Sequence, residues 1–320
     1  MKKICIVAGD PNSINSELIF KSWNKLSKKT RNKIVLIGSY ELLKKQKEKI
    51  KIPLRLDKID KISQITKFNT KLKIIDYPLK FNNCFKIDKI HASKYVSGCL
   101  NLAHELCIKN QIKGFINCPI DKNLIKQKGV YGVTEFLGKK NISNKFSEVM
   151  FLHNKDLSVV PLTTHVKIKD ISKYIKKKLI IKKINTLSLF YKKLFKKKPR
   201  IAVLGLNPHN CELEKNSEEV KIIIPAIKEL KKNHKIVGPL VADNFFKSSY
   251  KDFDVVVGMY HDQVLIPFKN FFKFDAINIT LGLNYLRVSP DHGTAKDIIG
   301  KNRANPKSLL ECVKFFNKLK

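Results

Sequence analysis

The segment IAVLGLNPHN, residues 201–210, opens with four apolar residues and then turns polar through Gly205, Asn207, Pro208 and His209. An apolar run that short suits a strand covered on both faces better than a helix. The same pattern recurs along the chain. Predicted strands are Ile4–Val7, Ile34–Ile37, Lys73–Ile75, Gly114–Asn117, Leu157–Leu162, Ile201–Leu204, Asp254–Val257 and Ala276–Ile279. Helical patterns fall at Asn15–Leu26, His91–Lys109, Ile180–Phe195, Ser217–Lys232 and Pro306–Leu319. In the second of these, Ala92, Val96, Leu100, Ala103 and Cys107 form one apolar stripe at helical spacing. Ser217 can cap the fourth, with Glu218 and Glu219 in its first turn. Strands alternating with helices predict a largely parallel α/β sheet with both faces covered.

Ligands of open α/β sheets sit beyond the carboxyl ends of the strands. The residues after each apolar run are therefore the candidates. They are Gly9-Asp10-Pro11, then Pro119, Asp121 and Lys122, then Thr163-Thr164-His165, Asn207-Pro208-His209, Tyr260-His261-Asp262-Gln263, and Thr280 with Arg287. Three of the eight histidines thus follow three different strands. Each alone reads as a side chain bonded to a loop carbonyl. Three together, with Asp243 and Asp262 as further ligands or supports, favour a divalent metal with open positions for substrate. The stretch DHGTAKDIIG, residues 291–300, reads as a loop leading into a helix, with Thr294 able to cap and an N-terminus suited to phosphate. An ordinary capped helix fits the same spacing. Arg287 is one of five arginines in a chain that otherwise uses lysine, which points to a need for a bidentate guanidinium or to a surface salt bridge. No GxGxxG, P-loop or GxSxG motif is present.

Composition bounds the alternatives. The chain has 320 residues, 43% of them hydrophobic, enough for a sizeable core and for one large or two smaller domains. No apolar run approaches a membrane span, and MKKICIVAGD reads as a first strand rather than a signal peptide, so a cytoplasmic protein is expected. Seven scattered cysteines without a CxxC pair argue against a disulfide framework or a cysteine-type zinc site. The net charge of +37 is almost all lysine. Together with abundant Ile and Asn this suggests AT-rich coding and a solvated lysine surface more than a nucleic-acid reader. Such a field would still attract a phosphorylated substrate.

A family resemblance rests on VAGDP (7–11), TEFLG (134–138), TTHVKIKDIS (163–172), LGLNPH (204–209), GPLVADNFF (238–246), MYHDQ (259–263), NITLGL (278–283) and R-x-S-x-DHGTAKDI (287–298). These run in order along almost the whole chain, which resembles the 4-hydroxythreonine-4-phosphate dehydrogenase family of pyridoxal phosphate biosynthesis. HGTAKDIIGKNRANP also resembles the cofactor loop of isocitrate and isopropylmalate dehydrogenases. The resemblance implies a three-layer α/β/α fold of that type, one catalytic unit of two discontinuous lobes with the active site in the cleft between them. It implies a homodimer with a shared active site. His165, His209 and His261 match the metal ligands, contributed by both partners. Thr134, Lys269, Asn278 and Arg287 match substrate contacts. His292, Gly293, Thr294, Ala295 and Asp297 would lie near the adenosine part of NAD or NADP. The ion could be zinc, cobalt, magnesium or manganese. Asp243 and Asp262 are candidate proton acceptors, with Lys122 behind them.

The sequence departs from the family at three places. Val133 stands where the family has a substrate-contacting histidine. The first loop, residues 9–17, lacks glycines between Pro11 and Glu17. Asn210-Cys211-Glu212 replaces Ala-Gly-Glu, and lost glycines could force a different loop path. Val133 keeps open a dehydrogenase of threonate or erythronate 4-phosphate. A catalytically weak polyanion binder is the alternative from another class.

Overall fold

The computed structural model describes residues 3–65, 70–126, 130, 132–140, 146–273 and 275–319. Its strands are β1 (Lys3–Val7), β2 (Ile34–Gly38), β3 (Leu56–Ile59), β4 (Leu72–Asp76), β5 (Ile112–Asn117), β6 (Val149–His153), β7 (Ser158–Pro161), β8 (Arg200–Leu204), β9 (Lys235–Leu240), β10 (Val255–Gly258), β11 (Ile277–Leu281) and β12 (Leu286–Pro290). The chain divides into two compact units, one of Met1–Leu137 with Asn284–Lys320, the other of Gly138–Leu283.

In the first unit the strand order is β3-β4-β2-β1-β5-β12, and every pairing is parallel. All five residues of β2 are buried, as a strand covered on both faces requires. The helix Lys89–Ile108 starts where the Asp88 carboxylate accepts the backbone N–H groups of Ile90 and His91. It buries the predicted stripe of Ala92, Val96, Leu100, Ala103 and Cys107.

In the second unit the order is β11-β6-β7-β10-β8-β9. Only β6 runs against its neighbours. Leu152, Val159, Ala202, Val256, Val264 and Phe268 belong to one buried cluster there. The helix His261–Phe272 contributes Val264, Leu265 and Phe268 to it. Among the described residues no helix is long and apolar enough to cross a membrane.

All eight predicted strands form. The four unpredicted ones have weaker patterns. β3 (LDKI) and β9 (KIVGPL) lie at the ends of their strand orders, where charges and a proline are tolerated. β12 carries Arg287 and ends in Pro290. β6 (VMFLH) is a short apolar run that periodicity alone cannot assign. The helix His261–Phe272 contains Pro267, which ordinarily argues against a helix interior.

At the end of β1 the chain turns through Gly9 at φ +76°. A Cβ there would stand 2.7 Å from both the Asn15 side-chain nitrogen and the Pro119 carbonyl oxygen. Those two groups are hydrogen-bonded to each other at 2.7 Å, joining the turn after β1 to the turn after β5. Gly9→Ala combines an unfavourable φ with this clash and is expected to cost about 1–3 kcal/mol, read as a lowered urea midpoint at unchanged m-value.

Candidate functional site

The order β7-β10-β8-β9 places four neighbouring parallel strands side by side. Their carboxyl ends therefore open on one edge of the second unit. His165 follows β7, His261 and Asp262 follow β10, His209 follows β8, and Asp243 follows β9. The rings of His165 and His261 lie 5.6 Å apart. His261 Nδ1 hydrogen-bonds the Asp262 carboxylate at 2.6 Å. With Nδ1–H donating to that carboxylate, Nε2 keeps the lone pair that a metal ion would take, the arrangement that orients metal-binding imidazoles. His209 Nε2 stands 3.7 Å from Asp243 Oδ2, and its Nδ1 stands 3.4 Å from Glu212 Oε1. Asp243 also accepts the Asn244 backbone N–H at 2.9 Å. Among the described residues of one chain, no three His, Cys, Asp or Glu side chains form a complete metal-binding group.

Side chains lace these turns together. Thr163 donates through both its N–H and its hydroxyl to the Met259 carbonyl. The Met259 N–H donates to Gln263 Oε1 at 2.7 Å, and Gln263 Nε2 donates to the Gly205 carbonyl at 2.7 Å. The three histidine-bearing turns thus share one hydrogen-bonded track. Sequence reading placed Gln263 beside His261 but gave it no task.

The His209 turn has unusual backbone. His209, Asn210, Cys211, Glu212 and Leu213 all have φ between 44° and 58°. Left-handed residues in succession are disfavoured for L-amino acids, and asparagine tolerates the conformation better than most. Asn210 is buried, and its side-chain nitrogen reaches the Pro239 carbonyl at 3.2 Å. Behind the turn lies Glu219, with no exposed surface. Its Oε1 accepts the N–H groups of Leu206 at 2.7 Å and Asn207 at 2.9 Å, and its Oε2 accepts from Asn207 Nδ2 at 3.0 Å. Glu218 also accepts from Asn207 Nδ2 and from Ser172 Oγ, and these bonds hold its carboxyl below the usual range. Ser217 accepts the Val220 N–H, so it caps as expected. The turn it caps, Glu219–Ile223, is π-helical before the α-helix Ile224–Leu230 begins.

The first unit gathers a second set, from the turns after β1, β5 and β12, three adjacent strands. Asp10 is buried, and burial raises its pKa against hydrogen bonds from the N–H groups of Asn12 and Asp121. Asp121 accepts from Lys296 Nζ at 2.7 Å, a bond that holds its carboxyl low. Arg287 on β12 is 3% exposed, and its Nε donates to Asn117 Oδ1 on β5 at 2.6 Å. Burial lowers its pKa to about 10. The surface salt bridge considered for Arg287 is therefore corrected, because the guanidinium lies inside the unit. Thr134 is buried as well, in the helix Val133–Gly138.

The stretch 291–300 also differs from expectation. It does not lead into a helix of useful length: only Lys296–Ile298 form one 3₁₀ turn, flanked by Ala295 at φ 44° and Gly300 at φ 72°. No side-chain cap from Thr294 is made; its carbonyl accepts the Ile14 N–H at 3.3 Å instead. The helix-dipole argument for phosphate has no support in three residues. His292 Nδ1 faces the Gly293 carbonyl at 3.0 Å. A Cβ on Gly293 would meet nothing within 4 Å, and Asp297 is exposed. In the second unit Lys269 is exposed, and the Asn278 side-chain oxygen is buried without a hydrogen-bond partner.

Comparisons with known proteins agree over nearly all of the chain. The family model described as "Pyridoxal phosphate biosynthetic protein PdxA" matches residues 30–316. A 4-hydroxythreonine-4-phosphate dehydrogenase of Sulfurihydrogenibium sp. (strain YO3AOP1) is 37% identical over 319 residues, covering 98% of this chain and 97% of that one. A D-threonate 4-phosphate dehydrogenase of Pectobacterium atrosepticum is 31% identical, covering 96% of each. The crystal structure of a 4-hydroxythreonine-4-phosphate dehydrogenase from Klebsiella pneumoniae superposes with a TM-score of 0.82 at 28% identity, covering 98% of both chains.

Cys211 occupies a left-handed position, φ 51°, that glycine adopts without penalty. Cys211→Gly is expected to stabilise the chain by about 1 kcal/mol, read as a raised thermal midpoint.

Proposed function

The chain belongs to the PdxA family of pyridoxal phosphate biosynthetic proteins, and on that premise we propose that it oxidises 4-phosphohydroxy-L-threonine with NAD and a divalent ion. The product loses carbon dioxide to give 3-amino-2-oxopropyl phosphate. The chain is an oxidoreductase, as its relatives are. The observation that carries the specific reading is the placement of His165, His261 and His209 past three adjacent parallel strands.

The imidazole donors suit a divalent ion, and the Asp262 contact to His261 Nδ1 supports the same use. His165, His209 and His261 would hold that ion, from two copies of the chain. When bound, the ion supplies Lewis acidity toward the substrate's secondary hydroxyl and toward the negative charge that develops during decarboxylation.

The remaining steps belong to the chain's own side chains. Arg287, fixed by Asn117, gives a permanent positive charge for a phosphate or carboxylate oxygen. Lys269, exposed on the helix His261–Phe272, adds a second positive charge. Thr134 and Asn278 supply neutral polar groups, and the Asn278 oxygen has no competing partner to displace. Asp262 keeps His261 in one tautomer. Asp243 Oδ2 is exposed and beyond hydrogen-bond distance of His209, so it is the better placed of the two carboxylates to take the hydroxyl proton. His292, Gly293, Thr294, Ala295 and Asp297 would receive the adenosine part of NAD, with the open space at Gly293 admitting close approach.

A second reading, oxidation of D-threonate 4-phosphate, is favoured by the 31% identical relative of that name and by Val133 in place of a substrate-contacting histidine. Relative kcat/KM on the two substrates decides between them.

The test is NADH absorbance from purified protein, NAD and 4-phosphohydroxy-L-threonine, with a chelator and then added zinc, cobalt, magnesium or manganese. Metal-dependent NADH is expected, and His209→Ala should lower kcat/KM by about 100-fold or more. No NADH with any ion on this substrate would overturn the assignment.

A further inference from the structure

The His209 turn poses a physical problem. Five consecutive residues, His209–Leu213, sit in left-handed backbone. None of them is glycine, so the conformation must be held from outside the turn. Local side chains do little of this. Glu212 is exposed, its oxygen 3.4 Å from His209 Nδ1, and Leu213 is exposed. Asn210 anchors the far side through the Pro239 carbonyl.

The near side is held chiefly by Glu219, the one carboxylate that takes the backbone, with Glu218 sharing only the Asn207 side chain. Glu219 is wholly buried and spends both oxygens on the residues that lead into His209. Oε1 takes the N–H groups of Leu206 and Asn207, and Oε2 takes the Asn207 side chain. Three donors converge on one carboxylate, a strong and geometrically specific arrangement. The same carboxylate fits closely under Gly205, where a Cβ would come within 3.1 Å of Oε1. Glu219 is delivered to this place by the π-helical turn Glu219–Ile223. π-turns occur mostly as single-turn bulges inside α-helices and are frequent at functional sites.

We infer that Glu219 is the positioning residue that sets the direction of the His209 imidazole, and through it the affinity of the site for a divalent ion. This rests on the proposed role of His209 as a metal ligand. Glu219 itself touches neither ion nor substrate. It acts by fixing the backbone of Leu206 and Asn207, three and two residues before the imidazole.

Glu219→Gln tests this with little change of shape. A glutamine keeps one acceptor oxygen but turns an NH2 group toward donors, so one side of the clamp opens. Zinc affinity of the purified protein in its native assembly, measured by competition with a chromophoric chelator, is expected to fall 10-fold or more. The visible absorption of the cobalt-loaded protein should shift with it. Asn207→Ser, at a half-buried position, removes only the side-chain arm and should give a smaller loss in the same direction. In a His209→Ala background Glu219→Gln should add nothing to the loss of zinc affinity. A structural role alone would lower the unfolding midpoint and leave zinc affinity and cobalt spectrum unchanged well below the transition, and that result would overturn the inference. Equal further loss in the His209→Ala background would overturn it too. Failure of the unmutated protein to bind zinc or cobalt would remove the metal role of His209, and this inference with it. Normal binding by the unmutated protein and by both clamp variants removes the inference alone.

Discussion

The arrangement of this molecule's chemistry depends on the parallel hydrogen-bond ladder through β7, β10, β8 and β9. Parallel strands end on the same edge, so the residues that follow them are neighbours whatever their distance in sequence. Forty-four residues separate His165 from His209, and 52 separate His209 from His261. The ladder cancels that distance. Thr163 and Gln263 then convert rough proximity into fixed geometry, since each bonds to backbone of a neighbouring turn. Backbone groups at strand ends have lost their ladder partners, and these side chains supply replacements.

The first unit solves the same problem with different materials. There the turns after β1, β5 and β12 are joined by Asn15 to Pro119, by Ile14 to Thr294, and by Lys296 to Asp121. Arg287 places a guanidinium inside the protein, with Asn117 as a fixed partner. Isolated buried cations are costly, and a fixed hydrogen bond offsets part of the cost.

Legibility in the sequence followed burial. Central strands such as β2 and β8 were plain because both faces are apolar, whereas β3 and β9 mix charges, glycine and proline and look like loops. The positions of His165, His209 and His261 past strand ends were readable without the fold. Their support was not. Glu219 reads as an ordinary first-turn carboxylate, and nothing in its neighbourhood announces that it faces inward at Leu206 and Asn207. Likewise Gln263 reads as a polar helix residue. Arg287 was noticed for its rarity, but its burial depends on which face of β12 is covered, and β12 was itself not predicted. The helix expected after residue 291 failed because Ala295 takes a left-handed conformation that alanine rarely adopts.

The left-handed turn has a consequence for chemical probing. Six of the seven cysteines are buried, and burial pushes the thiols of Cys99, Cys107 and Cys118 far from reactivity. Cys211 is the partly exposed one, two residues beyond His209. Desolvation, then the nearby carboxylates of Glu214, Glu219 and Glu218, keep its thiol protonated above the ordinary range. It is therefore slow rather than hidden. A thiol reagent added to the intact protein would label this turn ahead of the other six sites, at a rate set by how much of the Cys211 thiol is ionised.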